Sequence, residues 1–466
     1  MKHKGILVIL GLVFLLQACY KDNTSTGGNA ISDIEVSFGE FDGKETIHID
    51  RNEILEIDPE ITQSTREKEL TYEWEVNYEL YSSEKKFVFT GEALGRFPVR
   101  LKVSNEDGST FKEFILRVNS PYEEGLVVLG QDSDKGVVSF IRRHAGQDFV
   151  QTPVEEVEYD VYSLNNEDLA LSESVTDIVK SNERVYVSTS EPGRVHLLNH
   201  LTFQEEAVVE APEFPDFKPF RMNIPEGNSR ESLVLTTEGK LFNLSTFENL
   251  VLRNNAFGSD VDLAPKTQVI GTINFTMNYF WDKAASRLWN LWYVNSNSKD
   301  YFQGQEIVQF FATVEKSYVL TKDKGTNTYR RTVFGPYIQE YMADPLAVLE
   351  EQEFTVENTA LNIDAITLLD ESYFQLVYAG GRDIYKWHYS GTVIDSDPYI
   401  TIDIPGEITA LAKNPKNKEL YVGVYDATAG GNKGSVLVYD IDNGRKLGAF
   451  EGVSGKPLKM IYKIND

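Results

Sequence analysis

The chain has 466 residues, with 72 Asp and Glu against 45 Lys and Arg, a net charge of −27 and a single cysteine. No basic stretch stands out, which argues against nucleic acid as a partner. One cysteine excludes an internal disulfide and a cysteine-built metal site. Aromatic residues make up 12% of the chain, and with many β-branched residues they favour strands over helices.

Lys2 and Lys4 precede an uncharged apolar run that ends at Leu16, and small Ala18 stands just before Cys19. These are the marks of a secretory signal peptide over residues 1–18. The apolar core is shorter than the roughly 20 residues that span a bilayer. Leu16-Gln17-Ala18-Cys19 resembles a lipobox, the site where bacterial lipoproteins are acylated and cleaved, although Gln17 stands where a small residue is commoner. The resemblance implies a mature chain that begins at Cys19, the lipid attachment residue. Several acyl chains there would hold the protein stably on a membrane. The alternative is an ordinary signal peptide with an unmodified cysteine. Residues 19–30 are polar and Gly-rich and read as a flexible tether. Ten such residues reach about 35 Å when stretched. Lys21-Asp22 resembles the export signal of Bacteroidota-type surface lipoproteins, which implies the outer face of the outer membrane. A periplasm-facing anchor stays open.

Residues 31–119 form the first expected domain. Ile34, Val36 and Phe38 alternate with polar residues, as do Tyr72, Trp74 and Val76. In residues 95–118, Phe97, Val99, Leu101 and Val103 face one way and Arg96, Arg100 and Lys102 the other. Asp107-Gly108 is the expected hairpin turn, with Phe114, Leu116 and Val118 returning. Short strands around a central Trp suggest an immunoglobulin-like sandwich. Gly95, Phe97, Val99, Leu101, Val103, Asn105 and Gly108 resemble the last two strands of a PKD domain. The family's acidic Gly-containing motif after the tryptophan is missing: Glu75-Val76-Asn77 follows Trp74. The resemblance implies a divergent PKD-like spacer, with a binding role as the alternative.

Ser120-Pro121 breaks the strand pattern. Over residues 122–466 the expectation is a β-propeller, most simply of seven blades. Val175-Thr176-Asp177-Ile178, Ile363-Asp364-Ala365-Ile366 and Ile408-Thr409-Ala410-Leu411 each lead through a polar turn to a second apolar strand. Positions 363 and 408 lie 45 residues apart, and positions 175 and 363 lie four steps of 47 apart. A period of about 40 to 50 residues with several strands per unit fits a propeller blade. Stepping it places blade starts near Gly125, Met222, Val269 and Lys316. The run from Pro457 to the end is expected to close the ring by pairing with the first blade. Six or eight blades, or a β-sandwich, are the competing counts and folds.

No nucleophile elbow, zincin, P-loop or Rossmann motif is present, and no cofactor is expected. His196 and His200 have a helical metal spacing, but on a strand residues four apart sit roughly 13 Å apart. Asp132-x-Asp134-x-Gly136 and Asp440-x-Asp442-x-Gly444 echo a calcium loop but lack the distal Glu, so hairpin turns explain them better. Residues 279–293 hold three of the five tryptophans. Trp289 and Trp292 read as packing between blades. Trp281, beside Asp282-Lys283, is the candidate for an exposed ligand-binding ring that stacks on a sugar or a peptide side chain.

The lipobox, the PKD-like unit and a large β domain together resemble the PKD-like surface lipoproteins of Bacteroidota. Such proteins accompany SusC/SusD-like outer-membrane importers. The resemblance implies a non-catalytic accessory subunit that binds peptide or glycan, or acts as a scaffold, in a nutrient-uptake complex. A surface-anchored glycan- or peptide-degrading enzyme and an adhesion or structural protein are the alternatives.

Overall fold

The computed structural model describes residues 31–143, 157–226, 232–257, 263–272, 275–283, 285–292, 295–313, 316–334, 346–357 and 359–464. The chain divides into two compact units, Met1–Ser120 and Pro121–Asp466.

The first unit is a β-sandwich. Its strands are β1 (Ile34–Ser37), β2 (Thr46–Asp50), β3 (Ile54–Ile57), β4 (Glu60–Gln63), β5 (Thr71–Val76), β6 (Glu79–Ser82), β7 (Phe87–Thr90), β8 (Gly95–Asn105) and β9 (Gly108–Asn119). One layer is a five-stranded sheet in the order β2-β9-β8-β5-β6, with β2 parallel to β9. Two-stranded ladders, β1-β4 and β3-β7, supply the opposing layer. Val99, Leu101 and Val103 point into the core, while outward-facing Arg100 and Lys102 pair with Glu75 and Glu73 across to β5. The β8-β9 turn is Glu106-Asp107, one residue earlier than expected, because Gly108 already pairs with Asn105. The Asn105 side chain fixes this turn by accepting from the N–H groups of Asp107 and Gly108. Trp74 is fully buried between Phe38 and Phe87.

The second unit is a seven-bladed propeller. Blade 1 contains β10 (Gly125–Gln131), β11 (Gly136–Arg142) and β12 (Val157–Glu158). A short helix, α1 (Val161–Asn165), leads to blade 2: β13 (Val175–Ser181), β14 (Arg184–Ser190), β15 (Gly193–Asn199) and β16 (Glu205–Glu210). Blade 3 is β17 (Pro219–Asn223), β18 (Leu233–Thr236), β19 (Leu241–Ser245) and β20 (Leu250–Arg253). Blade 4 is β21 (Leu263–Thr272), β22 (Phe275–Asp282), β23 (Arg287–Trp292) and β24 (Asn295–Lys299). Blade 5 is β25 (Gln305–Ala312), β26 (Ser317–Asp323), β27 (Thr328–Phe334) and β28 (Val348–Thr355). Blade 6 is β29 (Ile366–Asp370), β30 (Gln375–Gly380), β31 (Asp383–His388) and β32 (Ile400–Thr401). Blade 7 is β33 (Glu407–Lys413), β34 (Glu419–Tyr425), β35 (Gly434–Asp440) and β36 (Lys446–Ser454). The last strand, β37 (Lys456–Lys463), pairs with β10 as the innermost strand of blade 1. The ring is therefore closed by its C-terminal strand, which covers the inner edge of β10. Gly455 lets the chain turn into β37, since a Cβ there would sit 2.1 Å from the Gln131 carbonyl.

The blade near Lys316 begins one strand earlier than the constant period placed it. Lys316 lies in the turn between β25 and β26, and Gln305 opens the blade. Blades 2, 3 and 4 repeat at 42 to 44 residues, and blade 5 absorbs the difference.

Each pair of neighbouring blades encloses its own apolar core. Along β10, Val127 and Leu129 pack toward blade 2, while Leu126 and Val128 pack toward blade 7. Along β23, Leu288 joins the core with blade 5, and Leu291 and half-buried Trp289 join the core with blade 3. A strand apolar on both faces is thus what a blade between two neighbours requires. Seven such cores run round the ring, including the one between blades 7 and 1.

Candidate functional site

In several blades the innermost strand slips register by one residue at the same step, at Leu458, Thr176, Phe220, Val308 and Thr409. The bulge re-aims the next residue. In blades 1, 2 and 3 that residue is Lys459, Asp177 and Arg221. Asp177 is fully buried, receives Lys459 Nζ at 2.6 Å and Arg221 Nη1 at 3.5 Å, and accepts from the Met222 N–H at 2.7 Å. The three blades are tied through one carboxylate.

Turns from first to second and from third to fourth strands emerge on one face, because neighbouring strands run antiparallel. On that face, blades 2 and 3 enclose a cavity of about 950 Å³. Glu183 comes from the first turn of blade 2, Lys180 and Arg184 from the strand ends that flank it, and His200 from the third turn. Blade 3 adds Glu226, just past β17, and Thr246, between β19 and β20. Lys180 and Glu226 also line a second cavity of about 380 Å³ toward β37, whose wall includes Ile178, Val179, Ile461 and Ile464. The volumes fall in the range of small-ligand sites.

The charges in the recess are arranged unequally. Arg184 donates from Nε to Glu206 at 2.7 Å and from Nη1 to the Thr246 carbonyl at 2.8 Å, which pins its guanidinium across the blade boundary. Lys180 Nζ lies 3.5 Å from Glu226, a looser contact, and the Glu226 side chain is 64% exposed. The Nδ1 atom of His200 is buried with no hydrogen-bond partner. Burial, followed by the nearby Lys463 and Lys180 charges, holds the His200 pKa below its ordinary value. Lys463 is fully buried, and its ammonium donates to the carbonyls of Tyr122 and Glu123. Its pKa is pushed down to about 7, first by burial and then by Lys180.

Beside the recess, the join between blades 7 and 1 holds a buried ion pair, Arg143 Nη2 to Glu419 Oε1 at 2.6 Å. The Tyr421 hydroxyl donates to Glu419 at 2.5 Å, and burial followed by that carboxylate pushes the Tyr421 pKa up. Lys416 and the Tyr462 hydroxyl converge on Glu124 in the same way. These contacts read as a clasp on the ring.

Cys19 lies outside the described residues. Trp281 corrects the expectation of an exposed ring. It is 2% exposed, packs among Leu288, Phe302 and Phe310, and its ring lies 5.5 Å from that of Phe302. The reason is that β22 runs on to Asp282, so Trp281 is inside the strand and not at the turn. Asp132 and Asp440 cap hairpins: Asp132 accepts from Ser133 N–H, and Asp440 from Asp442 N–H. His196 holds Glu205 at 2.7 Å, and among the described residues no group of three or more His, Cys, Asp or Glu could hold a metal ion. Sequence reading missed Lys180 and Glu226 and weighed His200 only as a metal ligand with His196; all three sit at or beside ordinary polar turns. Only aligning the turns blade by blade would have brought them together.

Fold and recess define a two-unit all-β protein, a sandwich followed by a closed propeller with a charged cavity between two blades. No family model matches the chain, and no curated protein matches it. Among solved structures, it is similar in fold to a quinoprotein alcohol dehydrogenase-like protein of Bacteroides thetaiotaomicron, at 16% identity and TM-score 0.51, covering 94% of this chain and 100% of that one. A dihydro-haem d1 dehydrogenase, NirN, matches at 11% identity and TM-score 0.40, covering 78% of this chain and 73% of that one. A chain of a nidogen–laminin complex matches at 8% identity and TM-score 0.37, covering 73% of this chain and 100% of that one. At these identities the likeness is one of fold. No helix among the described residues is long and apolar enough to cross a membrane.

Proposed function

We propose that this chain is a non-catalytic surface lipoprotein. In this reading Cys19 carries the lipid, residues 19–30 are the tether, the PKD-like first unit is the spacer and the propeller is the binding unit. The observation that carries the reading is the charge-lined recess between blades 2 and 3, built from turn residues on one face of a closed ring. Such a face can present ligand-contacting side chains while the blade cores stay unchanged. The resemblance at residues 16–22 and 95–118 supports an outer-membrane position facing the cell exterior, beside a SusC/SusD-like importer. A binder held there raises the local ligand concentration at the importer. The test is affinity isolation of the full chain from native outer membrane under mild detergent. Recovery of a SusC/SusD-like pair in fixed proportion is the expected result. Recovery of the chain alone, or with adhesion receptors only, overturns the assignment.

A further inference from the structure

We infer that the recess takes a short peptide with free, charged ends, the amino end or a basic group against Glu226 and Glu183 and the carboxylate against Lys180 and His200. This rests on reading the propeller as a ligand binder and narrows its ligand class.

Three observations carry it. The recess mixes signs at close range: Lys180 and Arg184 face Glu183, Glu206 and Glu226. A neutral ligand would leave the Lys180–Glu226 contact in place and compete poorly with it. A ligand bearing both charges can replace that loose 3.5 Å pair with two charge-assisted hydrogen bonds of its own. Next, the buried Nδ1 of His200 lacks a partner, which a peptide N–H can satisfy if the nitrogen is the acceptor, or a carboxylate oxygen if it is the donor. Finally, Lys180 and Glu226 stand on the boundary between the charged recess and a second cavity whose apolar lining, Ile461 and Ile464, lies beside Lys459 and Tyr462. A charged site that opens onto a partly apolar one matches a peptide end followed by apolar side chains. It does not match a neutral sugar, for which an aromatic platform is the usual feature. Tyr186, the aromatic residue of the recess, is 2% exposed and offers no open ring face.

The experiment is calorimetric titration of the full chain with tri-leucine bearing free ends, the same peptide acetylated and amidated, and maltotriose. The free peptide is expected to bind, the blocked peptide about tenfold or more weakly, and maltotriose not at all. Glu226→Gln, at an exposed position that leaves folding intact, is expected to weaken the free peptide about tenfold and leave the blocked one unchanged. Lys180→Met, checked by its melting curve, is expected to do the same. Equal binding of free and blocked peptide, displacement by maltotriose, or no binding of tri-leucine overturns the inference. Mass spectrometry of the titrated peptide separates the two levels. Intact peptide that binds supports both the inference and the non-catalytic reading. Cleaved peptide would sink the non-catalytic reading and leave the peptide assignment standing.

Discussion

Lys463 offers a quantitative test of how the ring is closed. It ends β37, is fully buried, and donates to the carbonyls of Tyr122 and Glu123, just ahead of the strand it pairs with. The groups bearing on it are Lys180, which opposes its charge, and Glu123 and Glu124, which favour it; burial outweighs the acids and brings its pKa to about 7. In the unfolded chain the ammonium keeps its ordinary value of 10.5. Between those values the unfolded chain binds more proton than the folded one, so this group makes folding less favourable at low pH. The penalty is full below about pH 7 and fades as pH rises toward 10.5. With those two values it amounts to about 5 kcal/mol at pH 6 and about 2 kcal/mol at pH 9. Lys463→Met removes the titration and leaves two carbonyls without this donor, a loss that does not vary with pH. Wild type should therefore gain about 3 kcal/mol on the variant between pH 6 and pH 9. Urea unfolding of both proteins at a series of pH values, following the propeller transition, measures the difference. A difference that stays flat across this range would show Lys463 charged when folded, and the reasoning would fail.

Other outcomes follow from single contacts. Glu419→Ala removes a buried carboxylate from Arg143 and Tyr421 and should cost about 3 to 5 kcal/mol in urea unfolding. Trp281→Ala should cost a similar ~3 to 5 kcal/mol by opening a cavity between blades 4 and 5, with peptide titration unchanged if the variant folds. Ending the chain after Gly455 removes β37 and bares the edge of β10. Light scattering should then show self-association that the full chain lacks. Trp74→Ala should lower the unfolding midpoint of the first unit and leave the propeller transition in place, as differential scanning calorimetry would show.

The propeller was legible because its physics is written in periodicity. Val175 and Ile408 hold equivalent places on innermost strands that slip register at the next residue, so these two copies repeat in backbone geometry, whereas residues 363–365 lie ahead of β29, which pairs without a slip. The strand pairs around Asp132-Ser133 and Glu238-Gly239 are visible as apolar runs broken by turn residues. The closing strand was legible as an apolar run left over after a complete blade. The start of blade 5 was not, because a constant step ignores unequal loop lengths. Trp281 was misjudged for a related reason: a charge at the next position looks like a turn, yet here Asp282 is itself buried at the strand end. The recess was the least legible part. Lys180 and Glu226 lie 46 positions apart, one blade repeat, and nothing in the local pattern of either distinguishes a cavity wall from a solvated turn.

The account depends most on where the chain is held. The direct measurement is the mass of the N-terminal peptide of the protein recovered from the membrane fraction of cells. It should begin at Cys19 and carry several acyl chains. A first residue other than Cys19, or an unmodified cysteine on a protein found free of the membrane, would contradict it.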